Sequence, residues 1–326
     1  MKRITIQLVA FSVVLVVTYG TVQNPYTSFY IDSLKEEALP VAKETNDLYE
    51  EVKLKAKNYE VAPENAKVDR VWKLIPGYNG LKVDIKASYE NMKQTGAFDE
   101  TKLIYQQTTP SIHIQDLPPT PIYRGHPEKP MVSLLINVAW GNEYIPPMLE
   151  TLKKHHVKAT FFLEGRWVKN NPDAAKMIVD AGHEIGNHSF SHPNMKTLSE
   201  SQIKQELEKT NAVIQSVTGQ TCQWFAPPSG SFRQEVVDQA AQMKLGTIMW
   251  SVDTVDWQKP QPDVLIHRVM TKVHPGAMIL MHPTEATSKA LDQLITQIKQ
   301  KGYSLGDVSN LLSEERIIKK QSVQKR

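Results

Sequence analysis

From Met131 onward, short apolar runs alternate with segments in which apolar residues recur at helical spacing. The apolar runs predict buried strands, because each is short and is bounded by turn-forming residues. Helical segments follow the six clearest runs: MVSLLINV, KATFFLEG, HEIGNHS, QWFAPPSG, TIMWSV and GAMILMH. Consecutive strand–helix units predict an α/β fold with a parallel sheet, and this number of units can close into a barrel. Functional residues of such folds lie at the carboxyl ends of the strands.

The segment around the third run carries helix-boundary signals. Thr197 and Glu200 have the spacing of a capping box at the start of a long helix, and Gly219 is a suitable stop residue. We interpret His183, which follows the preceding helical segment, as a structural residue that caps that helix.

The first residues have the pattern of an export signal. Lys2 and Arg3 precede a mostly apolar run over residues 4–19, which predicts a secretory signal peptide or an uncleaved signal-anchor. The run is slightly shorter than the roughly 20 residues of a full membrane span, and no A-x-A cleavage site follows it. A core helix is the alternative, but the positive flank and terminal position argue against it. We therefore expect an extracytoplasmic protein, secreted or anchored to the outer face of the membrane.

Composition shifts along the chain predict its domain organisation. Two strand-like runs, LKVDI and KLIYQQ, flank the helical stretch ASYENMKQ, and the proline-rich LPPTPIYRGHPEKP predicts a stiff linker. The predicted parts are a signal peptide or signal-anchor at 1–22, a helical stalk at 23–62, a small α/β domain at 63–115, a proline-rich linker at 116–130, the barrel domain at 131–312 and a basic tail at 313–326.

The overall composition limits the classes of function. The chain has 326 residues, a formal net charge of +3 and scattered lysines and arginines, so nothing indicates a nucleic-acid partner. We interpret the basic tail as solvated, with some attraction to an anionic wall or membrane surface. The single cysteine, Cys222, excludes an internal disulfide, and its apolar neighbours predict a buried small side chain.

Two histidines follow the third predicted strand, in the stretch NHSFSHPN. His188 and His192 are four residues apart, and on one helical turn that spacing brings both imidazoles to one face, where they can bind a metal ion. The spacing alone is weak evidence, because surface histidines in a turn also occur with it by chance. The pair is a candidate metal site, and the surface alternative stays open.

The later strand ends carry two carboxylates and another histidine. WSVDTVDW places Asp253 and Asp256 beside two tryptophans, and the alternative role for both acids is to cap the next helix. GAMILMHPT places His282 between a strand and a proline turn, where a histidine has little structural purpose. Because an imidazole titrates near neutral pH, His282 is a candidate general acid. The stretch FAPPSGSF predicts a rigid loop around Pro228 and Gly230.

The order of these motifs resembles the polysaccharide deacetylase family, which is carbohydrate esterase family 4 with the NodB-homology domain. A strand-turn, H-S-x-x-H-P, F-x-P-P-x-G, D-x-x-D-W and L-M-H follow one another, and the connecting LKKHHVKATFFLEG is also typical of the family. The resemblance covers residues 130–311, and the leader is similar to that of exported members from spore-forming Gram-positive bacteria. It implies a deformed (β/α) barrel of the polysaccharide deacetylase type and a link to the cell wall or to sporulation.

The resemblance also implies a chemistry. In the family, one Asp and two His hold a divalent metal, commonly zinc, and an adjacent Asp activates the water that attacks an N-acetyl group of a glycan. A later His protonates the leaving amine, so that base and acid divide the proton transfers, while the metal polarises the carbonyl. The implied partner is a cell-wall glycan that contains N-acetylglucosamine, or an envelope protein.

Most site residues of the family have counterparts in this chain. His188 and His192 match the metal histidines, and His282 matches the general acid. Asp253 and Asp256 match the D-x-x-D-W motif, which is thought to orient or tune that acid. The implied substrate-binding positions are Trp257, Pro228 and Gly230.

The first motif departs from the family. Typical members have T-F-D-D-G where this chain has LINVA, so Asn137 stands at the base position, Val138 at the metal-carboxylate position and Ala139 at the glycine. An amide takes no proton from water at ordinary pH. Valine coordinates nothing, which leaves two imidazoles where a catalytic zinc takes three protein ligands. The arginine that holds the base is replaced by Ala226, and the following bulky aromatic by Ser229.

Two hypotheses follow from these departures. In the first, which we favour, the protein acts on or binds N-acetylated cell-wall glycan with impaired or absent catalysis, and zinc or another divalent metal is bound weakly or not at all. In the second, it is an active metal-dependent N-deacetylase that uses a substitute ligand from WGNEY, Asn142 or Glu143. A glycosidase is a weaker alternative, because no facing pair of carboxylates occurs at the strand ends.

Overall fold

A computed structural model describes residues 2–22 and 24–318 of the chain. The chain forms two compact units, one from residues up to 61 together with 81–106, and the other from residues 62–80 together with those from 107 onward. The small domain predicted at 63–115 is therefore divided between the two units, and the other predicted boundaries stay predictions. The basic tail predicted at 313–326 lies mostly outside the described residues.

The first unit contains two long helices. Helix α1 (Lys2–Val22) includes Arg3–Thr21, a segment of 19 residues with a mean hydropathy of 1.9 that is long and apolar enough to cross a membrane and is not buried in the protein. Helix α2 (Pro25–Ala56) begins at Asn24, whose side chain accepts the backbone N–H of Tyr26. The apolar α1 is consistent with the predicted signal peptide or signal-anchor.

A small α/β motif belongs to the same unit, apart from Gly80 of its first strand and residues 107 and 108 of its second. Strands β3 (Gly80–Val83) and β4 (Tyr105–Thr108) pair with each other, and helix α3 (Ile85–Met92) lies between them in sequence. These elements correspond to the runs LKVDI, ASYENMKQ and KLIYQQ. They share a small apolar core with α2, formed by Leu48, Val52, Ala56, Val83, Met92 and Leu103.

The second unit is a parallel sheet, preceded in sequence by a short antiparallel hairpin. The hairpin has the strands β1 (Lys67–Asp69) and β2 (Lys73–Ile75). The strands of the sheet are β5 (Met131–Val138), β6 (Thr160–Leu163), β7 (Glu184–Asn187), β8 (Trp224–Phe225), β9 (Gly246–Thr247), β10 (Val252–Asp253), β11 (Met278–Met281) and β12 (Ser304–Gly306). They pair in the order β10-β11-β5-β6-β7-β8-β9, β12 pairs with β5, and every pairing is parallel.

The predicted strand TIMWSV is two short strands in the structure. β9 and β10 are consecutive in sequence but lie at opposite edges of the strand order. The reason is that backbone N–H groups only three residues apart have partners on different strands. The N–H of Ile248 donates to the carbonyl of Phe225 in β8, whereas the N–H of Ser251 donates to the carbonyl of Met278 in β11. The interruption leaves an incomplete barrel. The prediction of an α/β fold with a deformed barrel is confirmed.

Helices surround this sheet, and their alternation with the strands follows the sequence prediction except for two additional short helices, α5 and α11, and the additional strand β12. They are α4 (Ile145–Lys154), α5 (Gly165–Asn170), α6 (Pro172–Asp180), α7 (Glu200–Thr218), α8 (Gln234–Gln242), α9 (Pro262–Met270), α10 (Glu285–Gln300) and α11 (Val308–Leu312). β5 is buried on both faces: Leu134, Ile136 and Val138 join the main apolar cluster with α4 and α10, whereas Leu135 joins a second cluster with Phe162 of β6. Alternate residues of β5 thus face different environments.

The capping box of α7 lies two residues later than predicted. Ser199, not Thr197, accepts the N–H of Gln202, and Gln202 in turn accepts the N–H of Ser199. Both pairs have the same spacing in the sequence, and the structure starts the helix at Glu200. The predicted stop at Gly219 is confirmed by its left-handed backbone, with φ of 73°.

The proline-rich segment at 116–130 is packed against the barrel, so its interpretation as a linker is wrong. Ile122 is buried and forms a bridge with Ile248, and Arg124 forms one with Ala277. Lys129 is also buried, and its ammonium donates to the carbonyls of Asn310 and Ser313. The prolines suggested a stiff segment that extends away from the domain, but the buried residues between them attach the segment to the barrel.

His183 is structural and caps the preceding helix, as predicted, through its backbone N–H, which donates to the carbonyl of Ile178 in the last turn of α6 at 3.4 Å. Its Nδ1 accepts the backbone N–H of Ala159, at the start of the neighbouring strand, at 3.2 Å. Burial, with a smaller effect of Lys158, lowers the pKa of His183 to about 4. The folded protein therefore holds this imidazole neutral at pH values where the unfolded chain protonates it.

This depressed pKa predicts a loss of stability in mild acid. The stabilising effect of the neutral ring is fully present above the unfolded pKa of 6.5 and is lost as the pH falls toward the folded pKa of about 4. Between pH 7 and pH 5, His183 alone should cost about 2 kcal/mol of unfolding free energy. Urea unfolding at both pH values checks this. His183→Gln, which keeps an acceptor but does not titrate, should lose correspondingly less, and an equal loss in both proteins contradicts the assignment.

Candidate functional site

Residues at or after the ends of six strands, β5 and β7 to β11, line one cavity of about 450 Å³ in the second unit. β5 contributes Asn137, the loop after β7 contributes the histidine pair, and β10 and β11 contribute the residues of the last two motifs. The structure therefore brings together side chains that are up to 145 positions apart in sequence (137 to 282). The lining residues are Asn137, Ala139, Trp140, His188, His192, Ser229, Trp250, Asp253, Trp257, Leu280 and His282.

The two candidate metal histidines lie side by side, but not on a helix. Their ring centroids are 5.1 Å apart in an edge-to-face arrangement. Ser189 and His192 both have left-handed backbones, with φ of 62° and 55°, and the Ser189 hydroxyl accepts the N–H of His192. The predicted proximity thus arises from a tight loop rather than from a helical turn, and the alternative of exposed surface histidines does not fit the buried His188.

His188 is held as a neutral imidazole. Its Nδ1–H donates to the carbonyl of Ala226 at 2.7 Å, which leaves Nε2 as the unprotonated nitrogen. Burial, with a smaller effect of His192, lowers the pKa of His188 to about 3, and burial also lowers the pKa of His192. Both rings are therefore in the protonation state that a metal ligand requires.

The positions of Asn137 and Val138 differ sharply. Asn137 lines the cavity, and its buried Oδ1 has no hydrogen-bond partner among the residues that the structure describes. Val138 is fully buried and belongs to the apolar cluster under the helices. The side chain at the base position is therefore directed into the cavity, whereas the one at the metal-carboxylate position packs in the core.

These residues do not fit a catalytic metal. Within residues 2–22 and 24–318, no three His, Cys, Asp or Glu side chains are grouped so that they could hold an ion. The cavity is also lined by Asp253 and His282, but neither is grouped with His188 and His192 as a third ligand, and the donor at the base position is the amide oxygen of Asn137, whereas a catalytic zinc takes three strong protein ligands. An amide oxygen carries no charge to offset that of the cation, so this donor set favours weak binding.

The substitute ligands proposed from WGNEY lie elsewhere. Asn142 accepts a hydrogen bond from Trp167 Nε1 and donates one to Asn171, both at 2.6 Å. Glu143 is in the same short turn and lines a second cavity rather than the one that contains the histidines. Neither Asn142 nor Glu143 therefore lies with His188 and His192, and the carboxylate that shares their cavity is that of Asp253.

The last two motifs meet through a buried carboxylate. Asp256 is fully buried and accepts the backbone N–H of His282 at 2.6 Å, the Nδ1–H of His282 at 2.8 Å and the hydroxyl of Thr287 at 2.6 Å. It does not cap α9, which begins after Gln261. Asp256 thus fixes the orientation of the His282 ring, with Nε2 as its free nitrogen.

The remaining predicted site residues have different positions. Asp253 lines the cavity and accepts the N–H of Val255, and Trp257 is 56% exposed at the cavity wall. Pro228 and Gly230 do not line the cavity, but they shape the loop that places Ser229 there. Gly230 has φ of 66° and lies against the ring of Trp250, so a side chain at this position would be strained.

Sequence reasoning missed Trp140. Its indole stacks on the imidazole of His282, with the ring centroids 5.8 Å apart and the planes at 9°. Trp140 is 47% exposed and lines both the cavity described above and the second one. One feature of the sequence could have identified it: Trp140 is a large aromatic residue between a buried strand and Gly141, in a turn where core packing does not require one.

Comparisons with known proteins give a consistent family. Residues 124–248 match the family described as polysaccharide deacetylase. The chain is 55% identical over 303 residues to the uncharacterized protein YlxY of Bacillus subtilis strain 168, a match that covers 93% of this chain and 95% of YlxY. It is 36% identical over 199 residues to the peptidoglycan-N-acetylmuramic acid deacetylase PdaA of the same strain, covering 59% of this chain and 75% of PdaA.

Crystal structures of one further protein are also similar. BA3943 of Bacillus anthracis, described as a CE4 family pseudoenzyme, has a TM-score of 0.80 and 60% identity, covering 83% of this chain and 96% of that chain. A mutant of BA3943, described as having restored enzymatic activity, has the same TM-score and 59% identity, covering 83% of this chain and 99% of that chain. From these matches and the motifs gathered around its central cavity, this chain belongs to the polysaccharide deacetylase family, carbohydrate esterase family 4.

Proposed function

We propose that this protein binds N-acetylated cell-wall glycan outside the membrane, with impaired or absent deacetylase activity. The observation that carries the proposal is the amide of Asn137 at the base position, with its Oδ1 buried and unpaired within the described residues. Loss of a general base typically lowers the rate by about 10²–10⁴-fold. The similarity to BA3943, described as a pseudoenzyme, supports the same conclusion.

The glycan assignment rests on the walls of the central cavity. Trp140, Trp250 and Trp257 line it, and indole rings offer apolar faces to sugar rings while their edges and the nearby imidazoles offer hydrogen bonds. The relative PdaA is described as acting on peptidoglycan. A site that has lost its base but kept these walls retains the means to hold a sugar.

The apolar α1 supports the proposed location. A segment of 19 residues rises about 28 Å as a helix, close to the roughly 30 Å thickness of a bilayer core. Lys2 and Arg3 at its start favour a cytoplasmic N-terminus. We propose that residues 4–19 export the protein and that it is secreted or held at the outer membrane face, where the glycan lies.

The test separates binding from turnover. Purified protein is titrated with N-acetylglucosamine oligomers in a calorimeter, and acetate release is measured in the same samples with and without added zinc. We expect binding without acetate release, because the base is missing. Robust acetate release by the wild type contradicts the loss of catalysis, and the absence of binding to any oligomer contradicts the glycan assignment. Asp253→Ala, which changes the cavity wall, should weaken binding.

A further inference from the structure

The charge of the central cavity comes from Asp253. Among the lining residues that the structure describes, Asp253 is the one carboxylate, and none is a lysine or an arginine. Oδ1 of Asp253 accepts the N–H of Val255 at 2.8 Å, and Oδ2 has no hydrogen bond to any described residue. One oxygen of this half-buried anion is therefore free to pair with a group in the cavity.

Two imidazoles that line the cavity present hydrogen-bond acceptors. The Nδ1–H of His188 donates to the carbonyl of Ala226, and the Nδ1–H of His282 donates to Asp256. In the neutral form of each ring, Nε2 therefore carries a lone pair and no proton. A ligand group that pairs with these nitrogens and with Asp253 has to be a hydrogen-bond donor.

Three indoles form the rest of the polarised wall. Trp140, Trp250 and Trp257 line the cavity, and Trp140 is held by its stack on His282. The face of an indole attracts a cation through the quadrupole of the ring, and aromatic cages bind ammonium groups in this way. The carboxylate, the acceptor nitrogens and the indoles therefore all attract a ligand that is both a cation and a hydrogen-bond donor.

An ammonium group fits this lining better than a divalent metal does. A catalytic zinc takes three strong protein ligands, and the third-ligand position is Val138, which packs in the core. A primary ammonium needs no such ligand set, because it has one charge and three N–H donors. The charge of Asp253 alone offsets it, and the two Nε2 atoms can accept its remaining hydrogen bonds.

We propose that the central cavity binds the ammonium group of an amino sugar, a unit of otherwise N-acetylated glycan whose nitrogen carries no acetyl group. The inference rests on the proposed glycan function and names the unit that the cavity selects. Hydrolysis of an acetamide by an N-deacetylase supplies such a unit, because it releases acetate and leaves an amine that takes up a proton. The protein then recognises the product of that class of reaction rather than its substrate.

The test compares two tetrasaccharides of N-acetylglucosamine by calorimetry on the full-length protein, one fully acetylated and one with a single N-deacetylated unit. We expect the wild type to bind the second about tenfold more tightly, because its ammonium interacts with Asp253 and with the indole faces. Added salt should reduce this preference, because it screens the charged pair but not the contacts of a neutral sugar. The salt series uses the wild type alone, so it does not depend on the folding of a variant.

Two variants that lose the same charge locate the site. Asp253→Asn keeps an oxygen for the N–H of Val255 but removes the anion from the cavity. Asp263→Asn is the matched control, because Asp263 is exposed in the first turn of α9 and does not line the cavity. The preference for the deacetylated tetrasaccharide should disappear in Asp253→Asn and persist in Asp263→Asn.

The outcomes separate this inference from the proposed function. Equal affinity of the wild type for the two tetrasaccharides overturns the ammonium site and leaves glycan binding in place, and so does a preference that survives in Asp253→Asn. A lysine-containing tripeptide offers the same ammonium group without a sugar and should not bind measurably, so equal binding of this peptide overturns the amino-sugar assignment. If neither tetrasaccharide binds, the proposed function fails as well.

Discussion

Replacing Asn137 and Val138 together by aspartate is expected to give a zinc-dependent deacetylase. Asn137→Asp supplies a carboxylate directed into the central cavity, at the position of the unpaired Oδ1. Val138→Asp supplies a carboxylate at the position of the family's third metal ligand, and this side chain has to turn from the core toward His188 and His192 to bind zinc. Restoring a general base should raise the rate of acetate release by about 10²–10⁴-fold over the wild type in the presence of zinc.

The double variant should also couple metal binding to stability. Val138 is fully buried in an apolar cluster, so a carboxylate there without a partner should cost several kcal/mol, roughly 3–5. Zinc that binds the new carboxylate with the two histidines offsets this cost, because a ligand that binds only the folded state stabilises it. The melting temperature of the variant should therefore fall without zinc and recover when zinc is added.

Acetate release, bound zinc and thermal unfolding should be measured in parallel for the wild type, both single variants and the double variant. His188→Ala in the double-variant background is the matched control, because it removes one ligand and keeps the new base. A double variant that binds zinc stoichiometrically but releases no acetate shows that more than the base and the carboxylate was lost, with the arginine replaced by Ala226 as the next candidate. The BA3943 mutant described as having restored activity supports the feasibility of such a change in a relative.

The residues of the central site could be predicted because they follow buried strands. The apolar runs fix which residues precede each turn, and parallel strands end at the same edge of a sheet, so Asn137, His188, Asp253 and His282 had to converge. The resemblance then gave each a role. The runs do not show which face of each strand borders the cavity. On β5 it is the face of Asn137, so the next residue, Val138, packs in the core on the other face.

Other features depended on contacts that no local pattern carries. Trp140 stacks on His282, which is far from it in sequence, and the sequence of the turn around Trp140 does not predict this contact. The split of TIMWSV depends on which strand each N–H meets, Phe225 for Ile248 and Met278 for Ser251. Both are decided by the order of strands in space, which an apolar run does not specify.

Asp256→Ala is the second change with a large expected effect. The carboxylate accepts three hydrogen bonds, two from His282 and one from Thr287, and its removal leaves these donors without a partner in or near the core. Each unpaired buried donor costs about 1–3 kcal/mol, so the second unit should lose roughly 3–5 kcal/mol of unfolding free energy. Asp253→Ala, which loses one bond to the N–H of Val255, should lose only about 0.5–1.5 kcal/mol.

Tryptophan fluorescence during urea unfolding measures this difference directly. All six tryptophans lie in the second unit, so the signal reports on the unit that contains Asp256 and not on the first. At a urea concentration where both variants are folded, Asp256→Ala should also bind N-acetylglucosamine oligomers more weakly than Asp253→Ala, since Asp256 no longer holds His282 against Trp140. Equal unfolding midpoints for the two variants contradict the structural role of Asp256, because the loss of three buried hydrogen bonds should destabilise the unit more than the loss of one.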